Sequence, residues 1–292
     1  MRKNIALALC SVASLCAINT LYADSILQPA QAAPTTLMPA ESAPITLMPP
    51  MPAPGSGEPI PITLFSPDSL SGLALWLKAD DIALSNGSPI SSWPDNSPLG
   101  NTVTGAGVSS NKPIYVANAG DGSPTIAFAG GSNKPYFDVG SDINAQTVFF
   151  VNEVDADAPS ISCITTTKNG GYPYSIRVSG NAWRTSTDVN DWINPSNTLY
   201  VNGSAGGNMT KDVYHMLYAT KGGTSPTKTL RYIGAEEYSG RPFKGSIREV
   251  VWFTGVLSAS EREKVEGYLA HRWNLTSSLP VDHPYKASPP TS

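Results

Sequence analysis

The stretch "GSIREVVWFTGVLSASEREKVEGYLAHRWNL", residues 245–275, changes its periodicity in the middle. Residues 245–253 are rich in β-branched and aromatic side chains and read as a strand. After the Thr254-Gly255 turn the pattern becomes helical. Ser258 as N-cap with Glu261 three residues on forms a capping box, in which each side chain satisfies a backbone donor of the other residue. Val265, Tyr268, Leu269 and Trp273 recur on one helical face, and Glu261, Arg262, Glu263, Lys264 and Glu266 fall outside it. His271 and Arg272 occupy the last turn, where positive charge suits the helix dipole. A narrow apolar stripe directly after an apolar strand predicts a helix that closes over the sheet containing that strand.

Before this point the chain is written in short strands. Candidates are "LALWLKA" (73–79), "PIYVA" (113–117), "TIAFAG" (125–130), "TVFFVNEV" (147–154), "SISCITTT" (160–167), "YSIRV" (174–178), "TLYVNG" (198–203), "VYHMLYATK" (213–221) and "LRYIGAEE" (230–237). Between them lie "SNGS", "SPLGN", "AGDGSP", "AGGSN", "KNGGYP" and "KGGTSP", which are turn chemistry. Many strands without interleaved helices predict an all-β fold, a two-sheet jelly-roll sandwich with one C-terminal α-helix.

The N-terminal residues read differently. Arg2 and Lys3 precede an uncharged apolar run from Ile5 to Ile18, and Ala23 offers a small residue before Asp24, so residues 1–23 read as a secretory signal peptide. The run is shorter than the roughly 18 residues a membrane span needs. Cleavage removes two bases and no acid, taking the net charge from −4 to −6. It also leaves Cys163 as the single cysteine of the mature chain, so no intrachain disulfide can form. Residues 24–66 hold ten prolines, no Lys or Arg and one aromatic, Phe65, and read as a disordered Pro-rich spacer. A short repeat runs through it: "PTTLMP" from Pro34, "PITLMP" from Pro44 and "PITLFSP" from Pro61. The copies read either as spacer drift or as segments able to pair with a sheet edge. The folded domain is then expected over 67–286, with a tail over 287–292. Charged residues make up only 14% of the chain and no Lys/Arg cluster occurs, which argues against a nucleic-acid partner.

The quoted stretch, extended through "LPVDHPYK" (279–286), resembles the end of concanavalin A-like lectin/glucanase domains, the laminin-G-like jelly rolls of secreted bacterial proteins. There a G-x-I-x-E strand leads to L-S-x-x-E and a helix ending near a Trp. The opening "LALWLKADDIALSNGSPISSWPDNSPLGN" (73–101) resembles the family's first strand and its W-x-D-x-S segment. "TLYVNG" and the Ile-Gly of "LRYIG" are similar to its inner strands. The resemblance implies a scaffold shared by lectins, adhesion domains and β-glucanases, and sometimes calcium. It bears on fold more than on function.

Retaining glucanases of this resemblance carry Glu-x-Asp-x-Glu on one strand, and "NEVDAD" offers Glu153, Asp155 and Asp157. Asp157 is one methylene short, and Ala158-Pro159 suggests the triplet leaves its strand. No His-rich metal spacing and no nucleophile elbow occurs. His215 reads as structural, and His283 as closing the chain end onto the domain. The segment "SGNAWRTSTDVNDWINPSN" (179–197) combines Trp192 with Asp191, Asn190 and Asn194. Aromatic faces stack on sugar rings while amides and carboxylates take hydroxyls, so these residues, flanked by Tyr172, suit a glycan. The same segment also reads as a polar loop pinned to the core by its Trp. Trp183 reads as core. Asp188, Asn190 and Asp191 offer hard oxygen ligands for calcium, without the spacing of a defined calcium loop. The expectation is a secreted, non-catalytic module at the cell surface, outside the cell or in the periplasm. It would recognise a glycan or a surface protein, require no cofactor beyond possible calcium, and have no membrane span after signal cleavage. An assembly subunit using the Pro-rich repeats is the alternative, and a glycoside hydrolase stands third.

Overall fold

The computed structural model describes residues 62–107, 111–166, 176–185, 199–220, 229–234 and 241–292. They form fifteen strands: β1 (Leu73–Lys78), β2 (Ser92–Trp93), β3 (Val103–Ala106), β4 (Ile114–Val116), β5 (Thr125–Ala129), β6 (Tyr136–Ile143), β7 (Thr147–Val154), β8 (Ile161–Thr166), β9 (Ile176–Ser179), β10 (Ala182–Thr185), β11 (Leu199–Val201), β12 (Ser204–Ala205), β13 (His215–Thr220), β14 (Leu230–Ile233) and β15 (Lys244–Phe253). One α-helix, α1 (Ala259–Arg272), follows. Two antiparallel sheets make a sandwich. The eight-stranded sheet runs β12-β11-β13-β7-β15-β5-β4, and β1 joins β15 beside β5; the seven-stranded sheet runs β10-β9-β8-β14-β6-β3-β2. The chain crosses from one sheet to the other at β6–β7 and β7–β8, the jelly-roll habit expected from the sequence.

The strand of the opening stretch, β15, is the spine. One edge pairs with β7 along its length; the other pairs first with β5 and then, past a bulge at Arg248, with β1. Alternation sends Val250 and Trp252 inward with their partners Leu77, Leu75 and Phe150, all fully buried. The seven-stranded sheet meets them with Phe137, Ile164, Val178 and Trp183. Trp183 is 1% exposed and stacks on Phe243, as its reading as core expected.

The opposite face of β15 presents Glu249 and Val251 to α1. The capping box forms: Ser258 N–H donates to Glu261 Oε2 at 2.8 Å and Glu261 N–H to Ser258 Oγ at 3.3 Å. Val265, Leu269 and Trp273 are buried, and Tyr268 meets Trp76 and Phe65 edge-on. Glu266 departs from the outward position that its spacing suggested. It is 1% exposed, with His283 Nε2 3.3 Å and Arg262 Nε 3.7 Å from its Oε2, because the chain after the helix folds back over it. His283 thus closes the chain end onto the helix. His271 Nε2 adds a 2.8 Å hydrogen bond to the Tyr285 carbonyl, and Gly267 gives the returning chain room: a Cβ there would lie 2.4 Å from Tyr285 Cβ.

The residues that carry the family resemblance are fasteners. Glu249, the acid of G-x-I-x-E, accepts the indole N–H of Trp76 at 2.7 Å and of Trp273 at 2.5 Å, with Arg272 Nε at 3.4 Å. Asp95, the acid of W-x-D-x-S, accepts five hydrogen bonds of 2.7–2.9 Å from Trp76, Ser97 and Asn101, and the Trp93 indole donates to the Lys78 carbonyl at 2.9 Å. These side chains tie β1, the loop after β2, β15 and α1 together.

Two expectations are corrected at the edges. The third repeat copy is not spacer throughout: Leu64 bridges Thr291, Phe65 N–H donates to the Pro290 carbonyl at 2.9 Å, and Ser292 N–H to the Thr63 carbonyl at 3.0 Å. Phe65 is 4% exposed, so residues 62–66 and the supposed tail are both part of the packed unit. Strand β6, missing from the sequence reading, lies between β14 and β3; its "DVGSD" centre lacks alternation, and Gly140 has φ +87° where a Cβ would lie 2.6 Å from the Thr102 carbonyl oxygen. Residues 1–61, including the expected signal peptide and the first two repeat copies, lie outside the described residues. Among the described residues no helix is long and apolar enough to cross a membrane.

Candidate functional site

The carboxylate triplet does not share one strand face. β7 ends at Val154, so Glu153 is on the strand while Asp155 and Asp157 belong to the turn that follows, as the Ala158-Pro159 sequence suggested. That turn is latched. Lys211 Nζ donates to the Ala156 and Ala158 carbonyls at 3.2 Å, Asp212 Oδ1 accepts from Ala156 N–H at 2.7 Å, and Lys244 bonds Asp157 and lies 4.0 Å from Asp155. Burial first, and then Asp155 and Asp212, push the Glu153 carboxyl above its ordinary range. Asp155 is raised, chiefly by burial. Asp157 is lowered by its hydrogen bond to Lys244. Two of the three carboxylates therefore serve a latched turn, and the alternation that a one-strand acid/base pair relies on is lost after Glu153.

His215 is structural in its geometry. Asn202 Nδ2 lies 2.9 Å from Nδ1, and Nε2 lies 3.0 Å from the Thr210 N–H nitrogen and 2.8 Å from the Thr210 carbonyl oxygen, so both ring nitrogens are held by neighbouring loops. Burial holds its pKa below the ordinary histidine value and favours the neutral ring. Cys163 is fully buried on β8.

The other candidate ground is one end of the seven-stranded sheet. β9 and β10 form a hairpin through Gly180-Asn181, and Thr185 pairs with Ile176 at its open end. β8 runs beside β9 and ends at Thr166, which pairs with Tyr232 near the start of β14. Register therefore brings residues 166, 176, 185 and 230 to the same end of the sheet. The segment with Tyr172 joins the sheet there between β8 and β9, and the segment with Asp188, Asn190, Asp191, Trp192 and Asn194 leaves there after β10. Tyr172 and all five of those residues lie outside the described residues. A third segment, 221–228, enters at this end before β14.

What the sequence reading missed is on the hairpin itself. Arg184 lies directly opposite Arg177, on the face away from the buried Ile176, Val178 and Trp183. Arg184 is exposed, and Arg177 is partly buried with its Nε enclosed and lacking a hydrogen-bond partner. Arg231, on the same sheet, is instead gripped by both carboxylate oxygens of Asp138 and lies 3.7 Å from Asp142. Only the alternation of "SIRV" against "AWRT" could have signalled the pairing, and it needs the register of a hairpin that the sequence reading did not draw. For a cation, the described residues hold no cluster of three or more His, Cys, Asp or Glu; the oxygen donors proposed for calcium, Asp188, Asn190 and Asp191, are among those outside them.

No protein-family model matches this sequence, and no curated protein matches it. Among solved structures, Trypanosoma rangeli sialidase is similar over 70% of this chain and 33% of its own, at 13% identity and a TM-score of 0.43. The same sialidase in complex with sialic acid aligns at 16% identity over 70% of this chain and 34% of its own, with a TM-score of 0.38. Domain 4 of AbnA, a GH43 extracellular arabinanase from Geobacillus stearothermophilus, in complex with arabinotriose, aligns over 65% of this chain and 96% of its own, at 14% identity and a TM-score of 0.35. This chain spans about a third of the sialidase's length. At these levels of similarity the matches define neither a family nor an activity for it.

Proposed function

We propose that this protein is a secreted, non-catalytic carbohydrate-binding module of concanavalin A-like type, with its site at the open end of the β9–β10 hairpin. The observation that carries the reading is the register that joins both candidate ligand-binding segments to one end of one sheet. Stacking aromatics and amide or carboxylate groups from Tyr172, Asn190, Asp191, Trp192 and Asn194 would then converge on one ligand. The latched turn that holds Asp155 and Asp157 weighs against a hydrolase of the strand-borne kind. A glycan array probed with the full chain, with and without calcium, tests this. Saturable binding that Trp192→Ala abolishes is the expected result, and silence across the array refutes it.

The pairing of Leu64 with Thr291 favours a second reading, assembly through the Pro-rich repeats. Deleting residues 24–61 removes the first two copies and leaves the packed residues 62–67 of the third in place. Sedimentation that shows a higher-order species lost on deletion supports assembly; a monomer in both forms rejects it.

A further inference from the structure

We infer that assembly runs through one exposed strand edge, residues 62–65, and that its occupant is the second repeat copy, residues 44–48, of another molecule of this chain; this rests on the assembly reading above. The hydrogen bonds fix which way the edge faces. Phe65 N–H donates to the Pro290 carbonyl at 2.9 Å, and the Thr63 carbonyl accepts from Ser292 N–H at 3.0 Å. The C=O and N–H of each planar peptide unit point to opposite sides, so the Leu64 N–H and carbonyl turn away from the C-terminal strand. That N–H meets no acceptor among the described residues, and the carbonyl takes only the Ser292 hydroxyl, at 3.2 Å. The side chains divide in the same way. Phe65 is buried and meets Tyr268 of α1 edge-on, while Ile62 is 77% exposed and Leu64 59%. A free backbone edge with apolar side chains at alternate positions offers an added strand both hydrogen bonds and contact. Elsewhere the chain closes its own edges: Pro89 bridges Ile114 of β4, and Asn208 bridges Ala182 of β10. Residues 62–65 have no such cap among the described residues and no charged side chain, the usual guard of an edge. Sequence and chain length select the occupant. Residues 44–47 repeat residues 61–64 without a change, and Met48 stands where the third copy has Phe65. The first copy has Thr35 in place of Ile45 and so offers one apolar contact fewer. Thirteen residues, six of them proline, separate Met48 from Ile62; that composition favours extended backbone, which carries the copy toward a neighbour rather than back onto its own edge.

The test is sedimentation of the full chain over a concentration series, beside three variants. Leu64→Lys and Ile62→Lys each put a charge on the edge, and deletion of residues 24–61 keeps the edge but removes the first two copies. The parent should self-associate, and each variant should weaken that association about tenfold or more. Both lysine variants should keep the parent's melting temperature, because the replaced side chains face solvent. If Leu64→Lys melts lower, Ile62→Lys decides, since its position is 77% exposed. The sharpest arm is a mixture of the deletion variant, which has a free edge and no upstream copy, with Leu64→Lys, which has the copies and a blocked edge. Each alone should sediment as a monomer, and together they should form a heterodimer; a mixture that stays separate overturns the inference. Association lost on deletion but kept in both lysine variants means that the repeats pair elsewhere, which overturns the edge and leaves the assembly reading in place. Association lost in the lysine variants but kept on deletion means that the edge pairs with its own counterpart in a second molecule, which overturns the occupant. A parent that stays monomeric throughout overturns both the inference and the assembly reading.

Discussion

Glu249 is fully buried beneath α1 between two indole donors, Trp76 and Trp273, with Arg272 beside it. Burial pushes its carboxyl up from 4.5 to about 7, against the pull of those hydrogen bonds and of Arg272 toward the ionised form. The consequence for stability follows in sign and size. Below pH 4.5 the group is protonated in both folded and unfolded chains, and above about 7 it is ionised in both. Between those values the folded chain keeps a proton that the unfolded chain has released, so raising the pH favours unfolding. At about 1.4 kcal/mol for each tenfold step, the displacement is worth about 3 kcal/mol across that window. In a domain of this size that is roughly 6–12 °C in melting temperature. Glu249→Gln removes the titration. It also turns one amide donor toward an indole N–H, at a pH-independent cost of about 1–3 kcal/mol. Urea unfolding of parent and variant from pH 4 to 8 isolates the effect as a difference, because every other titrating group is common to both. The parent's stability relative to the variant should decline by about 3 kcal/mol as the pH rises. A relative stability that rises with pH would show that the two indoles and Arg272 outweigh burial, and would refute the argument.

Three further perturbations follow from the fasteners. Asp95→Ala strands the amide N–H groups of Trp76, Ser97 and Asn101, and should cost about 3 kcal/mol or more in urea denaturation. Gly267→Ala places a methyl 2.4 Å from Tyr285 Cβ and should destabilise by about 1–3 kcal/mol, with faster proteolytic loss of the residues after Trp273. Phe65→Ala should cost about 3 kcal/mol, and removing Thr291 and Ser292 about 1–2 kcal/mol for the two hydrogen bonds that Ser292 donates, from its N–H to the Thr63 carbonyl and from its hydroxyl to the Leu64 carbonyl. The Phe65→Ala and terminal changes should be less than additive when combined, since each loosens the same clip; strict additivity in thermal melts would show that the pairing does not hold Phe65 in place.

Local chemistry made much of the fold legible. A capping box, a stripe at helical spacing and runs of β-branched residues between turn residues act within a few positions, so β15, α1 and most long strands could be read directly. The all-β sandwich followed from them, as did the core position of Trp183 and the structural roles of His215 and His283. What depends on distant partners was not legible. Glu266 carries an outward spacing yet is buried, because the chain folds back at residues 280–286 and supplies His283. Phe65 sits in proline-rich sequence yet is packed, because the last residues of the chain, more than 220 positions away, pair with its backbone. β6 hides in Gly- and Asp-bearing sequence because its neighbours on both sides supply the hydrogen bonds that its own composition does not advertise. The same holds for the candidate site. Its aromatic and amide residues were visible as a composition, while the opposition of Arg177 and Arg184 exists only in the register of a hairpin. Sequence by itself determined the helix, most of the long strands and which residues could bind a sugar. Only the tertiary structure decided which of them share an end of a sheet, since cross-strand register is set by burial of the opposite face against a core assembled from the whole chain.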